Sequence, residues 1–493
     1  MISIPLDTNN IADYRKFLAI KSLPVYSFVG STAYVPDEYA ARIGMAKATT
    51  ANTDYMPLGG LFDYQRIITD LAIRKRKFAV FADCGLGKTL ILLEYAKHVR
   101  DRTNKKILIV SPLMVIRQTL SECAKFYGDG LKIEQVRSAK LNQWMESGES
   151  QIGITNYEAM NDAAYSENLG ALILDESSML KSHYGSWSGK CIEMGRGLDW
   201  KLCLTGTPAP NDRIEYANHA VFLDRFPNVN SFLATFFVNR GQTDNRWELK
   251  PHALNPFYKS LADWSIFLVN PETYGWKGSG ATIPPIHVEI HHVGLTMAQR
   301  DAVQKRMGSL FAVKSGGIVN RTAMSQISKG RSGDETIATL KPAFIADLIH
   351  SWPDEQSLIW CWYNHEQDSI CKVLPEAGSI SGDTDEDERI AEIKSFQTGT
   401  LRSLISKPRI LGFGLNLQCA TRQVFSGLVD SYEAYYQAVK RSNRYGSTRS
   451  LNVHIPITEL EAPMVENVLR KCKEVQRDSE EQEHIFRDAF IRQ

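Results

Sequence analysis

K-F-A-V-F-A-D-C-G-L-G-K-T-L-I-L-L-E, Lys77 to Glu94, is the stretch from which the rest of the chain is read. Phe78 to Phe81 is an apolar run of the buried-strand type. A short loop follows, and then an apolar periodic segment that predicts a helix. Gly85 and Gly87, with Leu86 between them, let backbone N–H groups turn inward around a phosphate. Lys88 can reach the β- and γ-phosphates as a point charge, and Thr89 is placed to ligate Mg²⁺. The start of the helix adds its dipole. Ala82 occupies the position where a glycine commonly opens such a phosphate loop. A chance strand–turn–helix is the bland alternative, and G-K-T directly after a buried strand argues against it.

The bulk properties set bounds. The 493 residues exceed one ordinary core and predict two main domains with additions. A composition of 43% hydrophobic and 23% charged residues is that of a soluble globular protein. With a formal net charge of +1, any nucleic-acid surface has to be local. The eight cysteines form no C-x-x-C pair, which fits a reducing, cytoplasmic setting and speaks against zinc or a disulfide framework. The start, M-I-S-I-P-L-D, shows no signal peptide, and no apolar stretch approaches the ~20 residues that span a membrane.

Residues 1–60 read as an N-terminal extension without assigned chemistry. Leu61 to Arg66 opens a helix ahead of the phosphate loop, where Phe62 and Gln65 suit an adenine ring and its edge; a lone surface Gln is the alternative. Lys106–Val110 and Gln151–Thr155 are strands that end at polar residues. Ser111, Pro112, Thr155 and Asn156 are candidate contacts to a nucleic-acid backbone, and helix caps are the equal alternative. Ala171–Leu174 carries Asp175 and Glu176 to a strand end. Beside a phosphate loop, Asp175 would hold Mg²⁺ and Glu176 would orient or deprotonate the attacking water. Thr205-Gly206-Thr207-Pro208 ends another strand in a loop able to sense the γ-phosphate and pass its state to a bound strand.

Residues 212–280 read as helical, with an aromatic stripe assigned to core. His287, Glu289 and His291 fall on one face of a strand, without a fourth metal ligand in view. Strands at 357–363, 402–406, 422–426 and 451–455, separated by helical patterns, predict a second parallel, helix-covered sheet. Gln437, Arg441 and Arg444 recur at i, i+4 and i+7, as on one helix face, and two guanidinium forks suit a phosphate clamp; a solvated basic face is the alternative. Between Arg300 and Arg331 stand Lys305, Arg306, Lys314, Arg321 and Lys329 against the single acid Asp301, a basic segment suited to phosphate contacts.

Taken together, A-D-C-G-L-G-K-T, L-T-G-T-P-A-P-N, M-S-Q-I-S-K-G, G-F-G-L-N-L and Q-A-V-K-R-S-N-R-Y-G resemble the motifs of the superfamily-2 helicase and translocase core, nearest its Swi/Snf-type branch. D-E-S-S, with Lys181, departs from D-E-A-H and resembles the compact DEAD/DEAH-type helicases of bacteriophages and prophages. The resemblance runs from Leu61 to about Ile457. It implies an α/β fold of two RecA-like parallel-sheet lobes in tandem with a helical insertion between them. The expected divisions are 1–60 extension, 61–225 first lobe, 226–340 insertion and linker, 341–460 second lobe, and 461–493 a charged, solvated helix. It further implies ATP and Mg²⁺ held through Gln65, Lys88, Thr89, Asp175 and Glu176, with Gly414 in the nucleotide site and Arg441 and Arg444 as fingers on the γ-phosphoryl.

The expected activity is an ATP-dependent DNA helicase or translocase acting on single-stranded or duplex DNA. Replication or recombination proteins are further candidate partners, no membrane is expected, and the site of action would be a bacterial host cytoplasm if the chain is phage-encoded. A nucleotide-gated clamp with little turnover and an RNA helicase are the alternatives.

Overall fold

The structure is a computed structural model that describes residues 1–44, 54–147, 149–181, 186–210, 212–241, 247–277, 283–310, 318–411, 415–444 and 447–491. The chain forms two compact units, Met1–Gly280 with Asp478–Gln493, and Ala281–Arg477.

The first unit begins with a small antiparallel sheet of β1 (Ile2–Pro5), β2 (Ser27–Val29) and β3 (Thr32–Val35), in the order β1-β3-β2. Ile4, Ala33 and Val35 of this sheet belong to the same buried cluster as the aromatic residues of 222–267, so residues 1–44 are built into the unit's core. The central sheet uses β4 (Lys77–Ala82), β5 (Lys106–Val110), β6 (Glu134–Gln135), β7 (Ile152–Thr155), β8 (Leu169–Asp175) and β9 (Trp200–Thr205). A ribbon of β10 (Phe237–Asn239) and β11 (Trp247–Leu249) precedes β12 (Ser265–Leu268), the seventh strand. The order is β12-β4-β9-β8-β5-β7-β6, parallel throughout. Strands β4, β5, β7 and β8 are buried almost end to end, as a sheet covered on both faces requires.

The boundary expected at residue 226 is corrected. The aromatic stripe is core, as the pattern implied: Phe222, Phe226, Phe232, Phe236, Phe237, Phe257 and Trp264 are buried together. It carries an edge strand with it, because β12 pairs with β4, the strand that leads to the phosphate loop. The run S-I-F-L is too short and too embedded in helical pattern to be read as a strand from sequence.

The second unit opens with β13 (Ile286–His292) and a small ribbon, β14 (Arg331–Ser332) with β15 (Glu335–Thr336). Its sheet adds β16 (Ser357–Trp360), β17 (Gly378–Ile380), β18 (Ser403–Ser406), β19 (Arg422–Phe425) and β20 (Leu451–Ile457). The order is β13-β20-β19-β16-β18-β17, again all parallel. The segment expected to be insertion thus also gives this sheet its edge strand, β13. The helices Met297–Leu310 and Ile318–Ser328 follow it within the same unit.

The last helix, Ala462–Ile491, is not a solvated closing element. Val465 and Val468 are fully buried in the second unit's core. In the first unit Glu483 accepts the backbone N–H groups of Val269 (2.7 Å) and Asn270 (2.9 Å), and Gln482 donates to the Tyr216 hydroxyl (3.0 Å). Among the described residues no helix is long and apolar enough to cross a membrane.

Candidate active site

Strands β4, β9, β8 and β5 are consecutive in the first sheet, so their C-terminal ends form one edge. That edge carries the phosphate loop after β4, Thr205–Thr207 after β9, Asp175 and Glu176 at the end of β8, and Ser111 after β5. Ligands of open parallel sheets bind outside the carboxyl ends of the strands.

The phosphate loop is braced from both sides. Asp83 N–H bonds to the Leu268 carbonyl of β12 at 2.9 Å. The Tyr64 hydroxyl and the Gln65 amide nitrogen donate to the Leu86 carbonyl at 3.2 and 3.4 Å. Gly85 (φ 89°) and Gly87 (φ 69°) both lie in the left-handed region, and a Cβ on Gly87 would run into the Gln65 amide. Lys88 opens the helix Lys88–Arg102 and folds its ammonium back onto the Ala82 carbonyl at 2.8 Å. Thr89 follows in the first turn, half-buried. Gln65 is buried and also accepts the Phe62 N–H at 3.0 Å, so its amide first of all ties the helix start to the loop. Phe62 is exposed and stacks on Tyr64, ring centroids 5.6 Å apart and planes at 8°.

The acidic pair sits at the middle of the edge. Asp175 is buried, and its carboxylate accepts from Ser111 Oγ (3.0 Å) and the Glu176 N–H (3.0 Å). Burial, and then the neighbouring Glu176 carboxylate, push its pKa up to about 7, against the pull of Lys88 and Ser111. A buried carboxylate beside a second one and a serine hydroxyl is an oxygen donor set that fits a hard divalent cation. Glu176 has φ 47°, left-handed for a residue with a side chain, at a cost of about 1–2 kcal/mol. Thr205 Oγ1 lies 3.4 Å from Glu176 Oε2 and accepts the Thr207 N–H at 3.1 Å. A Cβ on Gly206 would stand 3.6 Å from Lys88 Nζ and 3.7 Å from Cys84 Sγ, which sets the third loop directly against the phosphate loop.

The strand-end residues assigned to nucleic acid divide. Ser111 and Thr205 are buried and turned to the acidic pair. Thr155 is buried, and its hydroxyl donates to the Val136 carbonyl at 2.8 Å. Asn156 accepts the Ala159 N–H at 3.1 Å, the capping alternative. Pro112 is half-buried, beside the exposed Leu113.

In the second unit two corrections and one addition arise. First, Lys329 does not offer a charge to a phosphate. It is buried, and its ammonium is shared by Glu461, the Ser325 hydroxyl (2.6 Å) and the Leu428 carbonyl (3.2 Å). Lys341 bonds the other Glu461 oxygen. Burial would raise the Glu461 pKa, but the two ammonium groups hold it below the usual carboxylate value. Sequence reading missed this because the partner carboxylate lies 132 residues away.

Second, the helix carrying Gln437 ends at Val439, so Arg441 and Arg444 stand beyond it and not on its face. Beyond the helix end, Asn443 donates its amide to the Pro284 carbonyl at 2.7 Å, and Ser447 Oγ donates to the Ser442 carbonyl at 2.9 Å. Arg441 is buried, and its carbonyl accepts the Leu417 N–H at 3.0 Å. Arg444 is half-buried, with a guanidinium nitrogen 3.5 Å from the Leu415 carbonyl.

Third, β20 brings His454 to Glu289 and His291 of β13, a third ligand-type partner that sequence could not place. His291 Nε2 and His454 Nδ1 are 3.0 Å apart, but Arg422 Nη1 stands 3.0 Å from His454 Nε2. Arginine can only donate, so neutral His454 carries its proton on Nδ1, the atom a metal would need. The arrangement is a hydrogen-bonded cluster. Arg321 is exposed and pairs with Asp430 at 3.3 Å, while Lys314 and Gly414 lie outside the described residues.

Sequence reasoning also missed residues that support the acidic pair. Tyr157 donates to the Asp175 carbonyl at 2.7 Å, and His219 Nε2 is 3.1 Å from Ser177 Oγ. Neither carries a motif; only their burial in three dimensions reveals them.

A phosphate loop, an acidic pair and a hydroxyl-bearing third loop on the edge of a parallel sheet define a P-loop nucleotide-binding protein with two α/β units. Residues 74–344 match the SNF2-related domain and residues 340–446 the helicase conserved C-terminal domain. The chain belongs to the SNF2-related helicase family, and its two sheets are the tandem RecA-like lobes of that family. It is 22% identical over 419 residues to protein p41 of Acyrthosiphon pisum secondary endosymbiont phage 1, covering 77% of this chain and 87% of p41. It is 24% identical over 429 residues to the DNA annealing helicase and endonuclease ZRANB3 of Bos taurus, covering 80% of this chain and 38% of ZRANB3. The chain therefore spans well under half of that relative. Among solved structures, the Sulfolobus solfataricus SWI2/SNF2 ATPase core in complex with dsDNA is similar, with a TM-score of 0.41, 18% identity, and coverage of 83% of this chain and 90% of that one.

Proposed function

We propose that this protein is a nucleic-acid-dependent ATPase that couples ATP hydrolysis to movement along, or remodelling of, DNA. The observation that carries the reading is Glu176 beside the buried Asp175 and opposite Thr205, on the edge that also holds Lys88. A binding clamp has no use for a carboxylate held in a strained backbone next to the metal-binding acid.

In this reading the N–H groups of Gly85, Leu86 and Gly87 and the Lys88 ammonium bind the β- and γ-phosphates. Lys88 leaves the Ala82 carbonyl to do so. Thr89 and Asp175 hold Mg²⁺, which when bound neutralises phosphate charge. Glu176 takes the proton of the attacking water. Phe62 offers its exposed ring to the adenine, and Gln65 keeps one N–H and one lone pair for the adenine edge. For Arg441 and Arg444 of the second unit the role in this reading is to stabilise charge on the γ-phosphoryl.

DNA as the polymer is supported by family membership and by the similarity to ZRANB3, a DNA annealing helicase. Its endonuclease activity is not carried over, given the share of that protein covered. The reading places the work in a cytoplasm, with replication or recombination proteins as further partners. The test is Glu176→Gln: ATP binding is expected to persist while hydrolysis stops. Near-normal turnover in that variant would remove the assignment.

A further inference from the structure

Glu176 takes a backbone conformation that a side-chain-bearing residue holds only when its surroundings impose it. The chain on its C-terminal side is fixed from one helix, Tyr216–Phe222. His219 of that helix places Nε2 3.1 Å from Ser177 Oγ, 42 residues back along the chain and next to Glu176. Its neighbour Asn218 donates its amide to the Leu180 carbonyl, in the turn that continues from Ser177. Both side chains are buried, His219 completely. The His219 ring also meets Phe81 of β4 edge-on, centroids 5.3 Å apart at 85°, one residue before Ala82, whose carbonyl holds Lys88. The Ser177 hydroxyl also adjoins the buried Cys203 thiol of β9, two residues before Thr205. One imidazole thus touches the strand leading to the phosphate loop and, through Ser177, the segments that carry Glu176 and Thr205.

We propose that His219, acting through the Ser177 hydroxyl, is a positioning residue for Glu176 and sets the carboxylate against the Thr205 loop. This rests on the reading of Glu176 as the water-activating group. Burial pushes the His219 pKa down to about 4, so the ring is neutral at physiological pH and works as a hydrogen-bonding strut, not as a charge. A carboxylate misplaced by a fraction of an ångström loses rate without losing nucleotide, because phosphate binding belongs to Lys88 and the loop glycines.

The experiment measures DNA-stimulated ATP turnover of the full chain for Ser177→Ala, His219→Leu, His219→Gln and Glu176→Gln, each with its melting temperature. Ser177→Ala and His219→Leu are expected to lower kcat by about 10- to 100-fold, with KM for ATP within about twofold of the original. His219→Gln, whose amide nitrogen takes the place of Nε2, recovers most of the rate. The Ser177→Ala/His219→Leu double variant falls no further than the worse single one. A pair that served folding alone would lower the melting temperature and leave kcat of the folded protein unchanged in Ser177→Ala; that result, with Glu176→Gln inactive, overturns the proposal. Retained turnover in Glu176→Gln overturns the underlying reading and the proposal with it. If His219→Leu does not fold, Ser177→Ala and His219→Gln still decide.

Discussion

Thr205 Oγ1 lies 3.4 Å from Glu176 Oε2, so a hydroxyl at the end of β9 and a carboxylate at the end of the adjacent β8 face each other. The same hydroxyl accepts the Thr207 N–H, which makes the Thr205–Thr207 loop and the carboxylate one hydrogen-bonded unit. A displacement of that loop is therefore felt at Glu176. Thr205→Val keeps the shape and removes the hydroxyl. It is expected to lower DNA-stimulated kcat by about tenfold with ATP affinity little changed. Steady-state kinetics with and without DNA check this.

Lys88 stands on the phosphate loop, its ammonium bonded to the Ala82 carbonyl at 2.8 Å. Lys88→Ala removes the phosphate anchor and is expected to abolish both nucleotide binding and turnover, in contrast to Glu176→Gln. Calorimetric titration with a slowly hydrolysed ATP analogue separates the two.

Lys329 and the exposed basic residues of the same segment are expected to behave oppositely. Lys329→Met leaves Glu461, which is wholly buried, with Lys341 alone, and a broken buried pair costs about 3–5 kcal/mol. Urea unfolding reads that loss. Arg300 and Lys305 are exposed, so neutralising both to Gln leaves stability intact. If they contact phosphates, the slope of DNA affinity against log salt flattens by about 1.4 to 1.8. An unchanged slope would return them to an ordinary solvated helix face.

His454 is buried among Trp352, Arg422, His291, Glu289 and Glu355. Burial first, then Arg422 and His291, bring its pKa down to about 4 from an ordinary 6.5, against the pull of the two carboxylates. The folded state then binds fewer protons than the unfolded one between those values, so stability falls as pH drops from about 6.5 toward 4. Between pH 7.5 and 5 this histidine contributes up to about 2 kcal/mol of that loss. In His454→Gln the difference in urea stability between the two pH values is expected to shrink by that amount.

The parts of the fold legible in the sequence were those with local signals. The buried runs before Gly85, Ser111 and Asp175 announced their strands, and G-K-T and D-E announced the nucleotide edge. What sequence could not show depends on distant partners. β12 is four residues inside a helical pattern, and only its pairing with β4 makes it a strand. Lys329 reads as a surface charge until Glu461 meets it, and Ser177 reads as filler until His219 does. The spacing of Gln437, Arg441 and Arg444 suggested one helix face, but the helix ends at Val439, before the arginines. Ser111 and Thr205 were rightly placed at strand ends, yet their hydroxyls serve the acidic pair.

The central claim is that Glu176 drives an ATPase governed by nucleic acid. The most direct measurement is the ATPase rate of the full chain with no polymer, single-stranded DNA, duplex DNA and RNA in parallel, repeated for Glu176→Gln. The account predicts a low basal rate, a marked rise with DNA that RNA does not match, and no hydrolysis by Glu176→Gln under any condition. A rate indifferent to every polymer, or hydrolysis that survives Glu176→Gln, would contradict it.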